Sequence, residues 1–171
     1  QGEQGLQGEQ GPAGASGFGS YGSYYDTTTQ NNVGLGAGNA VTFDHVDFAS
    51  GVTLVNNTDF TFTNPGKYNI SFSAQIQKTN GSSQDIIIWL RNTHGDVAWS
   101  ATRVTIQGNT QRLVAAWNFF VNSIAGDHYT LMWASPDPSV QMLAMNPIAA
   151  NGTLPAIPGI PSIILTINQI G

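Results

Sequence analysis

The sequence predicts an all-β sandwich domain that follows a short collagen triple helix. Glycine occupies every third position from residue 2 to residue 17, the repeat that a triple helix requires. Beyond it, apolar and polar residues alternate with period two between turn residues, as they do in half-buried strands. No apolar run at helical spacing coincides with a cap and good helix formers. Together these three observations define the expected fold class.

The N-terminal repeat holds six consecutive Gly-X-Y triplets and stops where Ser20 takes the place of the next glycine. Three polyproline-II-like chains wound about one axis leave no room there for a side chain, so every third residue must be glycine. A triple helix needs three copies of the chain, and we therefore expect a homotrimer. A flexible glycine-rich linker is the alternative, but such linkers have no fixed period. The stalk glycines are Gly2, Gly5, Gly8, Gly11, Gly14 and Gly17.

This repeat is too short to hold three chains alone. It spans about 50 Å, so we expect it to be the end of a longer stalk held together by the domain behind it. No Y position carries proline, which favours a bacterial or viral source over an animal one. The expected division is a stalk end at residues 1–18, a junction with the first strand at 19–40, and the head at 41–171.

Composition excludes several classes of partner and site. Only 9% of residues are charged, the net charge is −5, and no Lys/Arg run occurs, so nucleic acid and anionic membrane surfaces are poor partners. No apolar run approaches the length of a membrane span, so we expect no membrane insertion. The chain has no cysteine, which excludes disulfides, thiolate metal sites and cysteine nucleophiles.

The strand pattern is most regular between residues 60 and 76. Phenylalanines at 60 and 62 alternate with threonines, Asn64-Pro65-Gly66 forms a turn, and residues 68–76 alternate apolar with polar. This pattern predicts two strands, each with one apolar and one polar face.

Three later segments, at 86–90, 113–121 and 129–134, are apolar on both faces. Antiparallel strands commonly turn one face to water. Strands with two apolar faces therefore indicate a second buried surface, which in a trimer is the interface between subunits. The interface candidates are Tyr25, Trp117, Phe120, Met132, Ile163 and Leu165.

Residues 60–72 (FTFTNPGKYNISF) resemble the aromatic, turn and Gly-X-Tyr-X-Phe-X-Phe signature of the complement-1q and tumour-necrosis-factor superfamily, with Ile70 in the first Phe place. The C-terminal half is similar to collagen-like fibre and appendage proteins of tailed bacteriophages. The segments that carry this second similarity are 116–119 (AWNF), 125–127 (AGD), 131–133 (LMW) and 161–166 (PSIILT). The two resemblances imply a trimeric jelly-roll head.

In such a head the chain starts and ends beside the stalk, and successive strands run outward and back. If the strand at 67–78 runs outward, the turns at 79–84 and 123–127 and the Pro-rich loop at 146–161 lie at the far tip. This count requires an even number of strands within residues 93–111. The resulting binding candidates are Asn80, Ser82, Ser123, Asp127, Asn151 and Pro155.

Catalytic signatures are absent from the sequence, and we expect no enzyme. The ten acidic residues are scattered, and neither G-X-S-X-G nor H-E-X-X-H occurs. Asp44-His45-X-Asp47 is interpreted as a loop or strand edge rather than a metal site, since no further ligand lies at a spacing that sequence can relate to it. We therefore expect no cofactor, with Ca²⁺ or another metal at the trimer as the alternative.

The function these features indicate is structural and adhesive. We expect a fibre protein on the surface of a virion, whose head trimerises the stalk and contacts a host receptor or glycan, and which also joins other virion proteins. Two alternatives remain, each placing the protein on a bacterial cell or outside it: a bacterial surface or spore-coat collagen-like protein, and a soluble trimeric lectin.

Overall fold

The computed structural model describes residues 19–108 and 111–171, in which all regular secondary structure is β-strand. The stalk glycines lie outside this described part. The strands are β1 (Tyr21–Asp26), β2 (Gln30–Asn31), β3 (Asn39–Ala40), β4 (His45–Ser50), β5 (Val52–Val55), β6 (Asp59–Phe62), β7 (Gly66–Lys78), β8 (Gln84–Asn92), β9 (Gly95–Asp96), β10 (Thr102–Ile106), β11 (Arg112–Ser123), β12 (His128–Ala134), β13 (Val140–Met142) and β14 (Ile163–Gln169).

Two antiparallel sheets form the sandwich. Sheet A has the strand order β2-β13-β7-β14-β1-β4, and β11 pairs with the other side of β7. Sheet B has the order β10-β8-β12-β6-β5, with β3 beside β12 and β9 beside β8. The all-β sandwich is confirmed.

The core lies between the sheets, where each strand contributes alternate residues. On β7 the inward residues Tyr68, Ile70, Phe72, Ala74 and Ile76 are at most 4% exposed, whereas the residues between them are half-buried. This is the alternation predicted for residues 68–76. On the facing sheet, Trp133 is the largest fully buried side chain.

Strand β7 defines the two ends of the head. At its start, the amide of Lys67 donates to the carbonyl of Gly171, and the side chain of Gln169 accepts from the amide of Ser20. The first described residues and the last ones therefore meet at one end, which we call the proximal end. The turn at 79–84 follows the other end of β7, the distal end, about 40 Å away at about 3.3 Å per residue.

Three strands were expected to be apolar on both faces, but only β12 is buried on both in the subunit. Strand β8 alternates buried with half-buried residues, and β11 has an exposed outer face. Their second apolar faces also differ in place: that of β8 is on the outside of sheet B, and that of β11 is on the outside of sheet A.

Candidate functional site

The outer face of sheet A carries exposed aromatic and aliphatic side chains near one edge. The ring of Tyr25 stacks on His45 at 4.7 Å, and Tyr21 meets Phe48 edge-on at 6.1 Å. Phe48 is 57% exposed and Ile164 is 44% exposed. We call Tyr21, Tyr25, Phe48 and Ile164 the face patch.

Strand β4 forms the edge of this patch and is exposed along its whole length. All six residues of β4 are exposed, so no layer covers either of its faces. It pairs with β1 alone, through a register that shifts between Ser23 and Tyr24. A strand of this kind contributes almost nothing to the core of its own subunit.

A second apolar surface lies at the opposite edge of the sandwich. Trp99, Trp117 and Phe120 line an open groove of about 220 Å³ between β11 and the segment that follows β9. Trp117 and Phe120 are both more than half exposed, and Trp99 is fully exposed. We call these three residues the edge patch.

Trp99 also has a left-handed backbone, with φ of +62°. That conformation is uncommon for a bulky residue and costs free energy. Within one subunit nothing compensates, because the indole has no burial to gain.

A polar strip separates the two patches. The outward residues of β7 are Asn69, Ser71, Ser73, Gln75 and Gln77. The side-chain oxygens Oδ1 of Asn69 and Oε1 of Gln77 are buried without a hydrogen-bond partner in the described part of the chain. Because an unpaired buried acceptor costs about 1–3 kcal/mol, this strip needs donors from water or from another chain.

The predicted interface residues divide into two groups. Trp117 and Phe120 are exposed and Tyr25 is half-buried, all three in the patches described above. The interface prediction is wrong for Met132, Ile163 and Leu165. They are at most 3% exposed and are buried within their own subunit.

The reason for the correction is strand parity. Ile163 and Leu165 pair with Ala74 and Phe72 and point inward, so that Ile164 between them is the exposed residue. Met132 points outward from sheet B, but the chain's own segment at 34–40 covers it. A Cβ placed on Gly38 would lie 3.4 Å from Cε of Met132.

The tip prediction is wrong for the turn at 123–127. Residues 93–111 hold two strands, β9 and β10, but both are antiparallel to β8 and run outward, so they make one pass instead of two. Strand β11 therefore runs back to the proximal end. Ser123 consequently pairs with Gly66, and the carbonyl of Asp127 accepts from the amide of Phe62. Ser123 and Asp127 lie at the proximal end.

The turn at 79–84 is distal as predicted by the count. Asn80 and Ser82 are exposed there, and the turn is held by Lys78, whose fully buried side chain donates from Nζ to the carbonyls of Gly81 (2.8 Å) and Ser82.

Asn151 and Pro155 lie in a hairpin whose bridges join Met145 to Ile160 and Ile148 to Ile157. Its base adjoins the last residue of β1, where the amide of Ser162 donates to the carbonyl of Asp26. The base also walls a groove of about 470 Å³ against Tyr25 and Ile164 of the face patch. Asn151 and Pro155 are exposed, and their contribution to a binding tip stays a prediction.

Asp44 links the start of β4 to the turn that follows β1. Its carboxylate accepts from the amide and hydroxyl of Thr27 at 2.9 and 2.5 Å, and contacts Nδ1 of His45 at 2.7 Å. Partial burial raises the pKa of Asp44, but the hydrogen bonds from His45 and Thr27 outweigh it and hold that pKa below its usual value. No group of three metal-ligating side chains occurs among the described residues.

Sequence reasoning missed Phe48 and Trp99. Phe48 alternates with polar residues in 45–48 (HVDF), but the register shift opposite Ser23 and Tyr24 turns it to the outer face, and only the strand pairing shows that shift. Trp99 lies between short strands in the segment 97–101 (VAWSA), which has no alternation from which a face could be assigned.

No protein-family model matches this chain, and no curated protein matches its sequence. Among solved structures, the globular domain of zebrafish complement 1qA protein is similar, with a TM-score of 0.55 and 14% identity. The match covers 90% of this chain and 98% of that domain. The likeness confirms the complement-1q-like jelly-roll fold.

Within the described residues, no helix is long and apolar enough to cross a bilayer.

Proposed function

We propose that this domain is the trimerising head of a collagen-stalked fibre on the surface of a virion, a structural protein without enzymatic activity. Its role is to bring three Gly-X-Y segments into register and to present its distal end to a host receptor or glycan. The observation that carries the proposal is the pair of uncovered apolar patches at opposite edges of sheet A.

The positions of the two patches favour a head-to-tail contact. Phe120 on β11 and Phe48 on β4 are four strand spacings apart, about 19 Å at about 4.8 Å per spacing. The polar strip of β7 lies between them. When the edge patch of one subunit packs on the face patch of the next, the contact is heterologous, and such contacts close into a ring of three when each subunit is rotated by a third of a turn from the last. A ring of three matches the number of chains in a triple helix.

That ring covers or pairs each of the exposed features. Strand β4 acquires a covering layer, the strained Trp99 buries its indole, and the polar strip meets the donors of a neighbouring chain. Clusters of exposed apolar side chains of this kind are typical of protein interfaces. The exclusion of water from these side chains supplies the free energy that offsets the cost of association.

The stalk junction suits the same arrangement. Gly19 and Ser20 lie at the proximal end, so three heads in a ring start three chains at one level. The glycines then meet at the axis without a search for alignment. The distal turn at 79–84 and the hairpin at 145–160 are the surfaces left for a receptor.

The bacteriophage-like segments within 116–166 favour a virion over a bacterial cell surface or spore coat. A bacterial collagen-like protein would use the same head. A soluble lectin remains an alternative for the distal end, and tight Ca²⁺-dependent glycan binding would favour it.

The mass of the intact protein tests the proposal. Native mass spectrometry of the full chain should give three copies, about 54 kDa from the 18.1 kDa chain. Gly8→Ala should lower the melting temperature of the triple-helix circular dichroism signal, because only glycine fits at the axis, and should leave the trimer mass unchanged. Monomers of the unmodified chain would refute the proposal, and monomers of the variant alone would show that the stalk holds the head together.

A further inference from the structure

The outer face of sheet B holds a groove of about 420 Å³ that the trimer proposal does not use. Its walls are the glycine-rich loop at 36–38, the strand β8 and the start of the 135–139 turn. The side chains that line it and carry chemistry are Trp89, Arg91, Asp96 and Ser135.

A shared carboxylate oxygen organises these side chains. Oδ1 of Asp96 accepts from Nε1 of Trp89 at 2.8 Å and from Nε of Arg91 at 2.7 Å. The side chains of Arg91 and Asp96 are 44% and 54% exposed. In the described part of the chain, Oδ2 of Asp96 and both terminal nitrogens of Arg91 make no hydrogen bond. The groove therefore presents an oriented acceptor and two oriented donors beside an aromatic ring.

The walls are built to hold that ring in place. A Cβ on Gly38 would lie 2.9 Å from Cζ2 of Trp89, so only glycine lets the loop approach so closely. The loop is anchored at its end by Asn39, whose Nδ2 donates to Oδ1 of Asn32 at 2.9 Å. Nδ2 of Asn32 in turn donates to the carbonyl of Ser135 at 2.8 Å. Both walls of the groove belong to one hydrogen-bonded network, and such preorganisation lowers the cost of binding.

We infer that this groove binds a neutral saccharide, with a pyranose face on the indole of Trp89 and neighbouring hydroxyl groups on Asp96 and Arg91. A sugar hydroxyl can donate to Oδ2 of Asp96, and the adjacent one can accept from the guanidinium, whose planar donors suit paired oxygens. The charges of Arg91 and Asp96 cancel, so the site favours neither an anion nor a cation. One apolar platform with a few placed polar groups is the usual composition of a small-molecule site.

This site is separate from the proposed trimer contact. Trp89 lies on sheet B and the face patch lies on sheet A, and the groove shares no lining residue with the groove of the edge patch. We therefore expect the groove to stay open whether or not three subunits assemble. It is also on the flank of the head and not at the distal end. If the protein is not a trimer, the saccharide inference is unaffected. If no sugar binds, the trimer proposal is unaffected.

Tryptophan NMR tests the inference with built-in controls. The chain has four tryptophans, Trp89, Trp99, Trp117 and Trp133, and each gives one indole N–H signal. The full chain is titrated with the methyl glycosides of glucose, galactose, mannose and N-acetylglucosamine to millimolar concentration. At least one of them should shift the Trp89 signal saturably and leave the signals of the exposed Trp99 and Trp117 in place.

Two variants separate the site from a general effect. Asp96→Asn should weaken the binding about tenfold or more, as expected for hydrogen bonds to a charged group. Arg91→Lys keeps the charge but loses the planar fork, and should weaken binding too. Arg103→Lys, on the neighbouring strand β10, is the matched control and should bind as the unmodified chain does. Dispersed spectra establish that each variant is folded.

The inference is overturned if none of the four glycosides shifts Trp89. It is equally overturned if the shift occurs at Trp99 or Trp117 instead, or if folded Asp96→Asn and Arg91→Lys bind as tightly as Arg103→Lys.

Discussion

The outer faces of the two sheets differ in what covers them. On sheet B, the chain's own segment at 34–40 lies over Met132 and against Trp89, and Met132 is only 3% exposed. On sheet A, nothing in the described chain covers Phe48 or Phe120, which are 57% and 69% exposed. Both faces carry apolar residues, so apolarity alone does not identify an interface between subunits.

What distinguishes the two faces is the source of the covering layer. A strand such as β12, buried on both sides by its own chain, stabilises the subunit. A strand such as β4, exposed on both sides, stabilises only an assembly. Substitutions in the first kind should reduce the free energy of unfolding of the subunit, and substitutions in the second kind should change the oligomeric mass.

The largest effect on subunit stability should come from Met132→Ala. Truncating a buried methionine removes apolar contacts and leaves a cavity, which costs about 2–5 kcal/mol of unfolding free energy. Urea unfolding at fixed protein concentration measures it, and the trimer mass should persist under native conditions. Met145→Ala, at a half-buried position in the hairpin base, should cost clearly less. Loss of the trimer in folded Met132→Ala would place this residue at the interface after all.

An intermediate effect should come from Lys78→Met at the distal end of β7. The buried Nζ donates to two carbonyls of the turn at 79–84, and the variant leaves both without that donor. We expect a loss of about 1–3 kcal/mol, with faster amide hydrogen exchange confined to the turn. Lys67→Met, at the exposed proximal end of the same strand, is the matched control and should change stability little. Equal losses for the two lysines would contradict the role given to Lys78.

Periodicity predicted the sandwich well because it reflects burial directly. The alternation at 68–76 corresponds to β7, and the expected first strand near Tyr25 is β1. Periodicity fails where a face is covered from elsewhere in the chain. Nothing in residues 129–134 indicates that a glycine-rich loop a hundred residues earlier covers Met132.

The candidate sites depended on pairing and direction, which one sequence does not contain. Ile163 and Leu165 differ from Ile164 only in parity, and the inward parity is set by pairing with β7. The tip assignment of Ser123 and Asp127 failed on a single uncounted reversal of the chain. Trp117 and Phe120 were identified because residues 113–121 are apolar at both parities. On the edge strand β11, Phe120 faces outward, and Trp117 stays exposed although its parity is inward.

The smallest effect concerns pH at the sheet B groove. Hydrogen bonds from Arg91 and then Trp89 hold the pKa of Asp96 below its usual value. Because the pKa is lower in the folded state, this carboxylate adds its full share to the free energy of unfolding above the unfolded pKa of about 3.9. It is lost as the pH falls through the lower folded value.

The indole N–H signal of Trp89 should therefore be constant from neutral pH to about pH 4 and move below it, with a midpoint under about 3.9. Asp96→Asn should abolish the movement. A midpoint above the usual value for aspartate would show that the network in the groove does not favour the carboxylate.

Cross-linking of two introduced cysteines tests the head-to-tail contact most directly. The natural chain has no cysteine, so Phe48→Cys and Phe120→Cys together provide the only two thiols in each subunit. They lie about 19 Å apart within one subunit, too far for a short bismaleimide to join. If the edge patch of one subunit packs on the face patch of the next, denaturing gels should show covalent dimers and trimers and nothing larger, and neither single-cysteine variant should give trimers. A doubly substituted protein that stays monomeric on the gel, or a ladder beyond three, would contradict the proposed assembly.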